Sequence, residues 1–236
     1  MSVLRFTLAE DSKADWHRNI VSLRKSVDIF ADLIDEPGEA QILIEHEQSA
    51  KLTRRVPPII VRPFDEAGIY NPILDVIRWE FDHPKRSRFS NGSYGVWYGA
   101  RDVITSVYET AHHFRKYVND SEAPSSDPIR QERRVHLVRC SAMLVDLRPH
   151  LAEHPQIIDR DDYSFSQTLG AQLRGDMQPG LITHSARHTG HDVIVVFTEE
   201  ALSDPRNICY FTYTLDRESG HVSVERTPGQ VELVID

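Results

Sequence analysis

Apolar residues near the start of the chain recur at helical spacing. Between residues 12 and 36 the apolar positions are three or four residues apart, at Trp16, Ile20, Leu23, Val27, Phe30 and Leu33. This spacing places them on one stripe of an amphipathic helix. Asp11 or Ser12 could cap its start, and Pro37-Gly38 would end it. The pattern predicts a helix over residues 12–36, followed by a shorter helical segment, EAQILIEHEQSAKL.

From Pro57 onward the apolar runs are shorter and are bounded by proline, glycine and polar residues. We predict strands at PPIIVRPF, VWYGA, RVHLVRCSAMLVDL, GLITHS, DVIVVF, ICYFTYTLD and GQVELVI. Helices are predicted at DVITSVYETAHHFRKYV, with Asp102 as its N-cap, and at SFSQTLGAQLR, while SEAPSSDP is predicted as a loop. Strands and helices mix without a regular βαβ repeat, which favours an α+β fold with a mixed, largely antiparallel sheet and flanking helices. The expected domains are an N-terminal helical extension, 1–55, and a main domain, 56–236.

Charge and composition exclude several classes of protein. The net charge is −9, and residues 1–50 carry ten acidic against five basic residues, which argues against direct binding to nucleic acid. The longest apolar run, Val193 to Phe197, is far shorter than a membrane span of about 20 residues. Two distant cysteines and the lack of a secretory signal favour a reduced, cytoplasmic protein. The basic run RQERRVHLVR is interpreted as a solvated helix-to-strand junction, with a phosphate-binding patch as the alternative.

The apolar stripe of the N-terminal extension must pack against something. The rest of this chain is the simpler partner, and a second copy of the chain, giving a homo-oligomer, is the alternative.

Local patterns alone leave the candidate chemistry open. His184, His188 and His191 have a spacing that would suit a metal on one helical face, but Gly190 and the following strand argue against a helix, so no metal site is expected. On the helix after Asp102, the predicted core stripe is Val103, Val107, Ala111, Phe114 and Val118. Glu109 lies opposite this stripe, where periodicity alone predicts a solvent-facing carboxylate. Arg88 could equally be a surface residue. Ser185 lacks the flanking glycines of a nucleophile elbow.

Four segments in order change this picture. Arg88-Phe89, Trp97 to Ala100, Ser106 to Glu109, and Gly180 to Arg187 together resemble the RES family, which is named for an arginine, a glutamate and a serine in this order. Its last segment has the form Gly-Leu-Ile-x-x-Ser-x-Arg. Arg62, in IIVRPF, matches an upstream family arginine. The resemblance covers residues 57–197 and identifies the main domain as RES-like.

The resemblance implies a fold similar to that of ADP-ribosyltransferases and a toxin of a toxin–antitoxin system that degrades NAD+. NAD+ would be the substrate, with no separate cofactor and no metal, and a helix-turn-helix antitoxin of the Xre type would be the partner. Glu109 would stabilise the positive charge that develops on the ribose. Arg88 and Arg62 would bind the pyrophosphate, Tyr98 would stack on nicotinamide, and Ser185 would orient the ribose or Glu109. The acceptor would be water or phosphate. A mono-ADP-ribosyltransferase that modifies a protein and an inactive binding module are the alternatives.

Overall fold

The computed structural model describes residues 6–21, 75–120 and 128–236. It contains three α-helices in these ranges, α1 (Asp75–Asp82), α2 (Val103–Asn119) and α3 (Ser164–Gly175). The strands are β1 (Thr7–Ala9), β2 (Asp15–Val21), β3 (Arg86–Ser87), β4 (Ser90–Asn91), β5 (Trp97–Ala100), β6 (Ile129–Cys140), β7 (Leu144–Asp146), β8 (Gly180–His184), β9 (Asp192–Val196), β10 (Leu202–Leu215), β11 (Val222–Thr227) and β12 (Gln230–Ile235). No described helix has the length and apolar character that crossing a membrane requires.

Ten of the described strands form one sheet, in the order β1-β7-β8-β9-β5-β2-β6-β10-β11-β12. Neighbouring strands in this sheet are antiparallel except β7 and β8, which are parallel. Strands β3 and β4 form a separate short hairpin. The predicted α+β fold with a mixed, largely antiparallel sheet is therefore confirmed.

Helix α2 forms where the apolar stripe predicts it. Its side chains Val107, Ala111, Phe114 and Val118 are buried against β6, β10 and β11, and Val103 packs at the edge of the same cluster. Burying a valine or phenylalanine side chain contributes about 1.5–3 kcal/mol. The stripe therefore fixes which face of α2 is turned away from the sheet.

Helix α3 covers the other half of the sheet. Leu169 and Leu173 are buried there together with Leu181 of β8, Val195 of β9 and Phe89. The predicted helix at SFSQTLGAQLR and the predicted strands at GLITHS and DVIVVF are confirmed by these elements.

The prediction of a helix over residues 12–36 is wrong for Asp15–Val21, which form β2 between β5 and β6. The error has a physical reason. Positions four apart, such as Trp16 and Ile20, share a face in a strand as well as in a helix. Trp16 is buried on one side of the sheet and Asn19 on the other, as expected for a central strand. Residues 22–36, the second helical segment and the 55/56 boundary lie outside the described residues.

Two further predictions need correction. The run RQERRVHLVR is not a helix-to-strand junction, because it lies within β6. Its Arg133 is buried and donates hydrogen bonds to the side chain and backbone of Asn19. The segment predicted as one strand, RVHLVRCSAMLVDL, is divided between β6 and β7. The predicted strand PPIIVRPF and nearly all of the predicted loop SEAPSSDP lie outside the described residues.

Candidate active site

Helix α2 places Glu109 at the centre of the candidate site. The helix begins at the predicted cap, where the Asp102 carboxylate accepts a hydrogen bond from the Thr105 backbone N–H at 2.7 Å. Glu109 lies two turns further along, half-buried. Because the buried stripe faces the sheet, Glu109 points away from the core, as periodicity predicts, but not into open solvent. A second segment of the chain covers it.

That segment carries Ser185, which directly follows β8. This residue is only 2% exposed. The Ser185 hydroxyl donates a hydrogen bond to Glu109 Oε1 at 2.5 Å. The same oxygen accepts the backbone N–H groups of Arg187 at 3.1 Å and His188 at 2.8 Å. Two donors and one acceptor thus fix the hydroxyl, and its proton is directed at the glutamate.

The loop between β8 and β9 is held closed at its base. The Ser185 backbone N–H donates to the His191 carbonyl at 2.7 Å. His184 Nδ1 lies 2.9 Å from an oxygen of Asp192, whose other oxygen accepts from Arg148 at 2.8 Å. Residues 185–191 are therefore a loop, and His184 points to Asp192. The three histidines of this segment do not share a helical face.

Arg88 lies on a segment whose backbone is bound from several directions. Ser166 Oγ of α3 donates to the Arg88 carbonyl at 2.8 Å, and the Tyr94 hydroxyl donates to the Phe89 carbonyl at 2.6 Å. Phe89 is fully buried. Gly170 permits this approach, because a Cβ at that position would lie 2.3 Å from the Phe89 carbonyl oxygen. Contacts with helix α3 thus fix the backbone position of Arg88.

The Arg88 guanidinium is half-buried beside aromatic and acidic groups. It lies over the Tyr163 ring, 4.6 Å from the centroid, and donates to the Asp159 carbonyl. Burial lowers the pKa of Arg88, while the charges of Tyr163 and Glu109 oppose that shift. Glu109 thus acts electrostatically on Arg88 across the site.

Tyr98 of β5 forms hydrogen bonds with the residues on either side of Arg88. Its hydroxyl donates to Ser87 Oγ at 2.9 Å and accepts the Phe89 backbone N–H at 3.1 Å. Burial raises the pKa of Tyr98 to about 12, so the phenol stays protonated at neutral pH. The Tyr98 hydroxyl therefore helps to fix the position of Arg88. Stacking of the Tyr98 ring on nicotinamide stays a prediction.

A basic cleft of about 340 Å³ lies beside the Glu109–Ser185 pair. Its lining residues are Tyr108, His112, Arg115, Arg160, Arg187 and the segment Val234, Ile235 and Asp236. Arg187 extends from the Ser185 loop and donates to the Arg160 carbonyl at 2.5 Å and to the Tyr163 hydroxyl at 3.3 Å. Burial, followed by the charge of Arg187, lowers the pKa of His112 to about 4. His112 is therefore neutral at neutral pH, and the charged residues of the lining are three arginines and one aspartate, Asp236.

The structure brings together most of the residues that the sequence predicts. Glu109 and Ser185 are in direct contact, the charge of Glu109 opposes the lowering of the Arg88 pKa, and the Tyr98 hydroxyl bonds the residues on either side of Arg88. Arg62 lies outside the described residues. Sequence reasoning assigned no role to Arg187 or Arg160. The sequence does contain a reason to select Arg187, because it is the last residue of the Gly-Leu-Ile-x-x-Ser-x-Arg segment.

One group of the described residues has the donor atoms for a metal ion. It consists of Asp102, His188 and His191, whose candidate ligand atoms all lie within 4.8 Å of one another. It lies between the start of α2 and the loop that carries Ser185, and it does not include Glu109 or Arg88.

Comparison with known proteins places this site in a family. Among solved structures, a chain of the M. tuberculosis MbcT–MbcA toxin–antitoxin complex is similar at 16% identity, with a TM-score of 0.39 over 52% of this chain and 69% of that one. No curated protein matches the chain. The family model of the RES domain matches residues 71–216, more than half of the sequence. This range includes Arg88, Glu109 and Ser185, and the chain therefore belongs to the RES domain family.

Proposed function

We propose that this protein is a toxin-type enzyme that degrades NAD+ by cleaving the bond between nicotinamide and ribose, with water or phosphate as the acceptor. Membership of the RES family supports an NAD+-processing toxin. The observation that carries the proposal is the hydrogen bond from the buried Ser185 hydroxyl to Glu109, which lies beside a basic cleft.

The proposed chemistry assigns Glu109 an electrostatic role. When the bond between ribose C1 and the pyridinium nitrogen breaks, its electron pair goes to the nitrogen, and nicotinamide leaves as a neutral molecule. Positive charge then develops on C1 and the ring oxygen of the ribose, and a nearby carboxylate stabilises it. Glu109 Oε1 is held by Ser185, and no described residue bonds Oε2. That oxygen can face the ribose.

The arrangement of Ser185 supports a positioning role rather than a nucleophilic one. A serine nucleophile needs a free lone pair on its oxygen and a base for its proton. The Ser185 oxygen already accepts two backbone N–H groups, and its donated proton fixes the rotamer of Glu109. We therefore assign attack on C1 to the acceptor oxygen, which belongs to phosphate or to a water molecule that releases one proton to the solvent as the new bond forms.

The arginines supply the complementary charge for the substrate. NAD+ carries a pyrophosphate, for which guanidinium groups are suited because their donors match paired phosphate oxygens. Arg88 would bind it together with Arg187 and Arg160 from the cleft, and Arg62 is retained as a further candidate. The same cations could hold an inorganic phosphate acceptor.

The proposal includes a protein partner. An enzyme that removes NAD+ harms the cell that makes it, so an antitoxin that silences it is required. We propose a helix-turn-helix antitoxin of the Xre type, with the cytoplasm as the place of action. A homo-oligomer formed through the N-terminal residues stays an additional proposal.

Product analysis tests the proposed reaction. Purified protein is incubated with NAD+, with and without phosphate, and the products are separated by chromatography. Free nicotinamide with ADP-ribose indicates water as the acceptor, and ADP-ribose 1-phosphate indicates phosphate. A parallel sample with labelled NAD+ and cell extract detects transfer to protein, which would identify an ADP-ribosyltransferase instead. Unchanged NAD+ in all samples would contradict the proposal.

A further inference from the structure

A histidine and aspartate cluster lies at the base of the loop that carries Ser185. Thr105 Oγ1 donates to Asp102 Oδ2 at 2.7 Å and lies 2.8 Å from His188 Nδ1. His191 Nδ1 lies 3.3 Å from the same Asp102 oxygen. The two imidazole rings stack with centroids 3.6 Å apart, and Tyr108 stacks on the outer face of His188 at 4.5 Å. Side chains from helix and loop therefore meet at one point.

We propose that Asp102, His188 and His191 form a binding site for a divalent transition-metal ion, with Zn²⁺ as the natural candidate. Two imidazole nitrogens and one carboxylate oxygen are a ligand set that Zn²⁺ accepts, and a water molecule would complete a tetrahedral shell. The candidate ligand atoms are already within 4.8 Å of one another. This site is separate from the Glu109–Ser185 pair and does not depend on the proposed NAD+ chemistry.

Hydrogen bonds hold the Asp102 carboxylate in place. Its Oδ1 accepts the Thr105 backbone N–H at 2.7 Å, and its Oδ2 accepts the Thr105 hydroxyl at 2.7 Å. Carboxylate oxygens and imidazole nitrogens bind metal ions in their deprotonated forms. Thr105 would then act as the outer hydrogen-bond partner that orients the ligands.

Binding of an ion requires the side chains of the cluster to move. Ligand atoms about 2.0–2.2 Å from Zn²⁺ are roughly 3.3 Å apart in a tetrahedral site, so atoms that now lie up to 4.8 Å apart must come closer and the stacked rings must tilt. The loop permits this, because His191 and its neighbours Thr189 and Gly190 are exposed. Gly190 has a φ of +81°, and no atom within 4 Å would meet a Cβ there. The ion would connect the first turn of α2 to the loop that follows Ser185.

The cluster should bind some classes of metal ion and not others. Mg²⁺ and Ca²⁺ prefer shells made of oxygen ligands, which this cluster does not supply. Zn²⁺ and Co²⁺ accept imidazole nitrogen, and tetrahedral Co²⁺ has a characteristic visible absorption. Untagged protein treated with a chelator is therefore titrated with Zn²⁺, Co²⁺ and Mg²⁺. Calorimetry gives the stoichiometry, Co²⁺ absorption gives the geometry, and thermal unfolding gives the stabilisation that binding implies.

We expect one equivalent of Zn²⁺ or Co²⁺ to bind and raise the melting temperature, with no effect of Mg²⁺. His191→Ala and Asp102→Asn should weaken Zn²⁺ binding roughly tenfold or more. Asn keeps the helix cap, so Asp102→Asn should fold. His113→Ala, outside the cluster but beside His112, is the matched control and should bind as the wild type does. Equal affinity in wild type and His191→Ala, no bound equivalent, or loss of binding in His113→Ala would each overturn the proposal.

Discussion

The Ser185 hydroxyl donates a hydrogen bond to Glu109 Oε1 at 2.5 Å, although 76 positions separate the two residues in the chain. Glu109 belongs to a helix on the sheet, and Ser185 to the loop after a strand of that sheet. The pair therefore forms only when helix α2 and the β8–β9 loop are both in place. The position of the carboxylate that is proposed to act on NAD+ therefore depends on both elements.

Replacing Ser185 by alanine should leave a weakened enzyme rather than an inactive one. The change removes the hydrogen bond that fixes Glu109 and leaves the partly buried N–H groups of Arg187 and His188 without their acceptor. We expect a loss of about 1–3 kcal/mol in the free energy of unfolding. We also expect kcat for NAD+ cleavage to fall roughly 10- to 100-fold, since one hydrogen bond to the carboxylate is lost. Thr189→Ala, on the exposed tip of the same loop, is the control. Activity as low as that of a Glu109 variant would mean that Ser185 itself reacts.

Arg88→Lys tests whether NAD+ binding needs only a positive charge at this position or also the planar guanidinium group. Lysine keeps the positive charge but loses the planar group that lies over Tyr163 and its fork of donors. Steady-state kinetics should show a raised KM for NAD+ and a smaller change in kcat. Arg86→Lys, at an exposed position two residues earlier, should change neither value. If the Arg88 variant has the kinetics of the wild type, another cation binds the phosphates.

Gly170→Ala should displace α3 from the Arg88 segment. The added Cβ would lie 2.3 Å from the Phe89 carbonyl oxygen, which is backbone and cannot rotate away. Overpacking of this kind costs about 1–3 kcal/mol. We expect a lower melting temperature together with weaker NAD+ binding. Gly175→Ala, in the last turn of the same helix, meets no atom within 4 Å and is the matched control. Equal effects of the two substitutions would show that close approach at Gly170 is not what positions Arg88.

The free energy of unfolding should fall at low pH because the protein contains a buried histidine, His136. Burial, then the charges of Arg134 and Arg18, lowers the pKa of His136 to about 4 from 6.5. Below pH 6.5 the unfolded chain therefore binds a proton that the folded chain does not, and the free energy of unfolding falls as the pH drops from 6.5 to 4. His112, with a pKa of about 4, acts in the same direction.

Denaturant titrations across this pH range test the assignment. His136→Gln should show a shallower fall in the free energy of unfolding than the wild type, whereas His221→Gln, at an exposed position, should follow the wild type. Identical slopes for the wild type and the His136 variant would mean that His136 does not contribute.

The elements that the sequence predicts well have a simple hydrophobic pattern. Helix α2 has one buried stripe at helical spacing, whereas β5, β8 and β9 are short apolar runs that are buried on both faces, and the structure confirms all four. Strand β2 is different. Its sequence, DWHRNIV, mixes apolar and polar residues, and Trp16 on one face and Asn19 on the other are both buried, so it is neither an apolar run nor a simple alternation. The spacing of Trp16 and Ile20 fits both kinds of element, and only pairing with β6 decides between them.

The candidate site was predictable as a set of residues but not as an arrangement. Periodicity alone placed Glu109 in solvent, because it cannot show that the loop carrying Ser185 folds over that face of α2. The histidine spacing after β8 drew attention to His188 and His191, but their partner is Asp102, 86 positions before His188, rather than His184. Such long-range contacts depend on the order of strands in the sheet.

Glu109→Gln tests the proposed mechanism most directly. The substitution keeps the shape of the side chain and an acceptor for Ser185, and removes only the negative charge. The free energy of unfolding should change by less than about 0.5 kcal/mol. Losing a preorganised charge opposite the developing cation should raise the barrier by about 3 kcal/mol or more, a fall of more than about 100-fold in kcat. Asp120→Asn, beyond the end of α2, is the control.

The decisive measurement is the rate at which nicotinamide is released from NAD+ by purified wild type, Glu109→Gln and Asp120→Asn under identical conditions. We predict release by the wild type and the control, and none above background by the folded Glu109 variant. Release at the wild-type rate by the folded Glu109→Gln variant would contradict the assignment of this carboxylate to the chemistry.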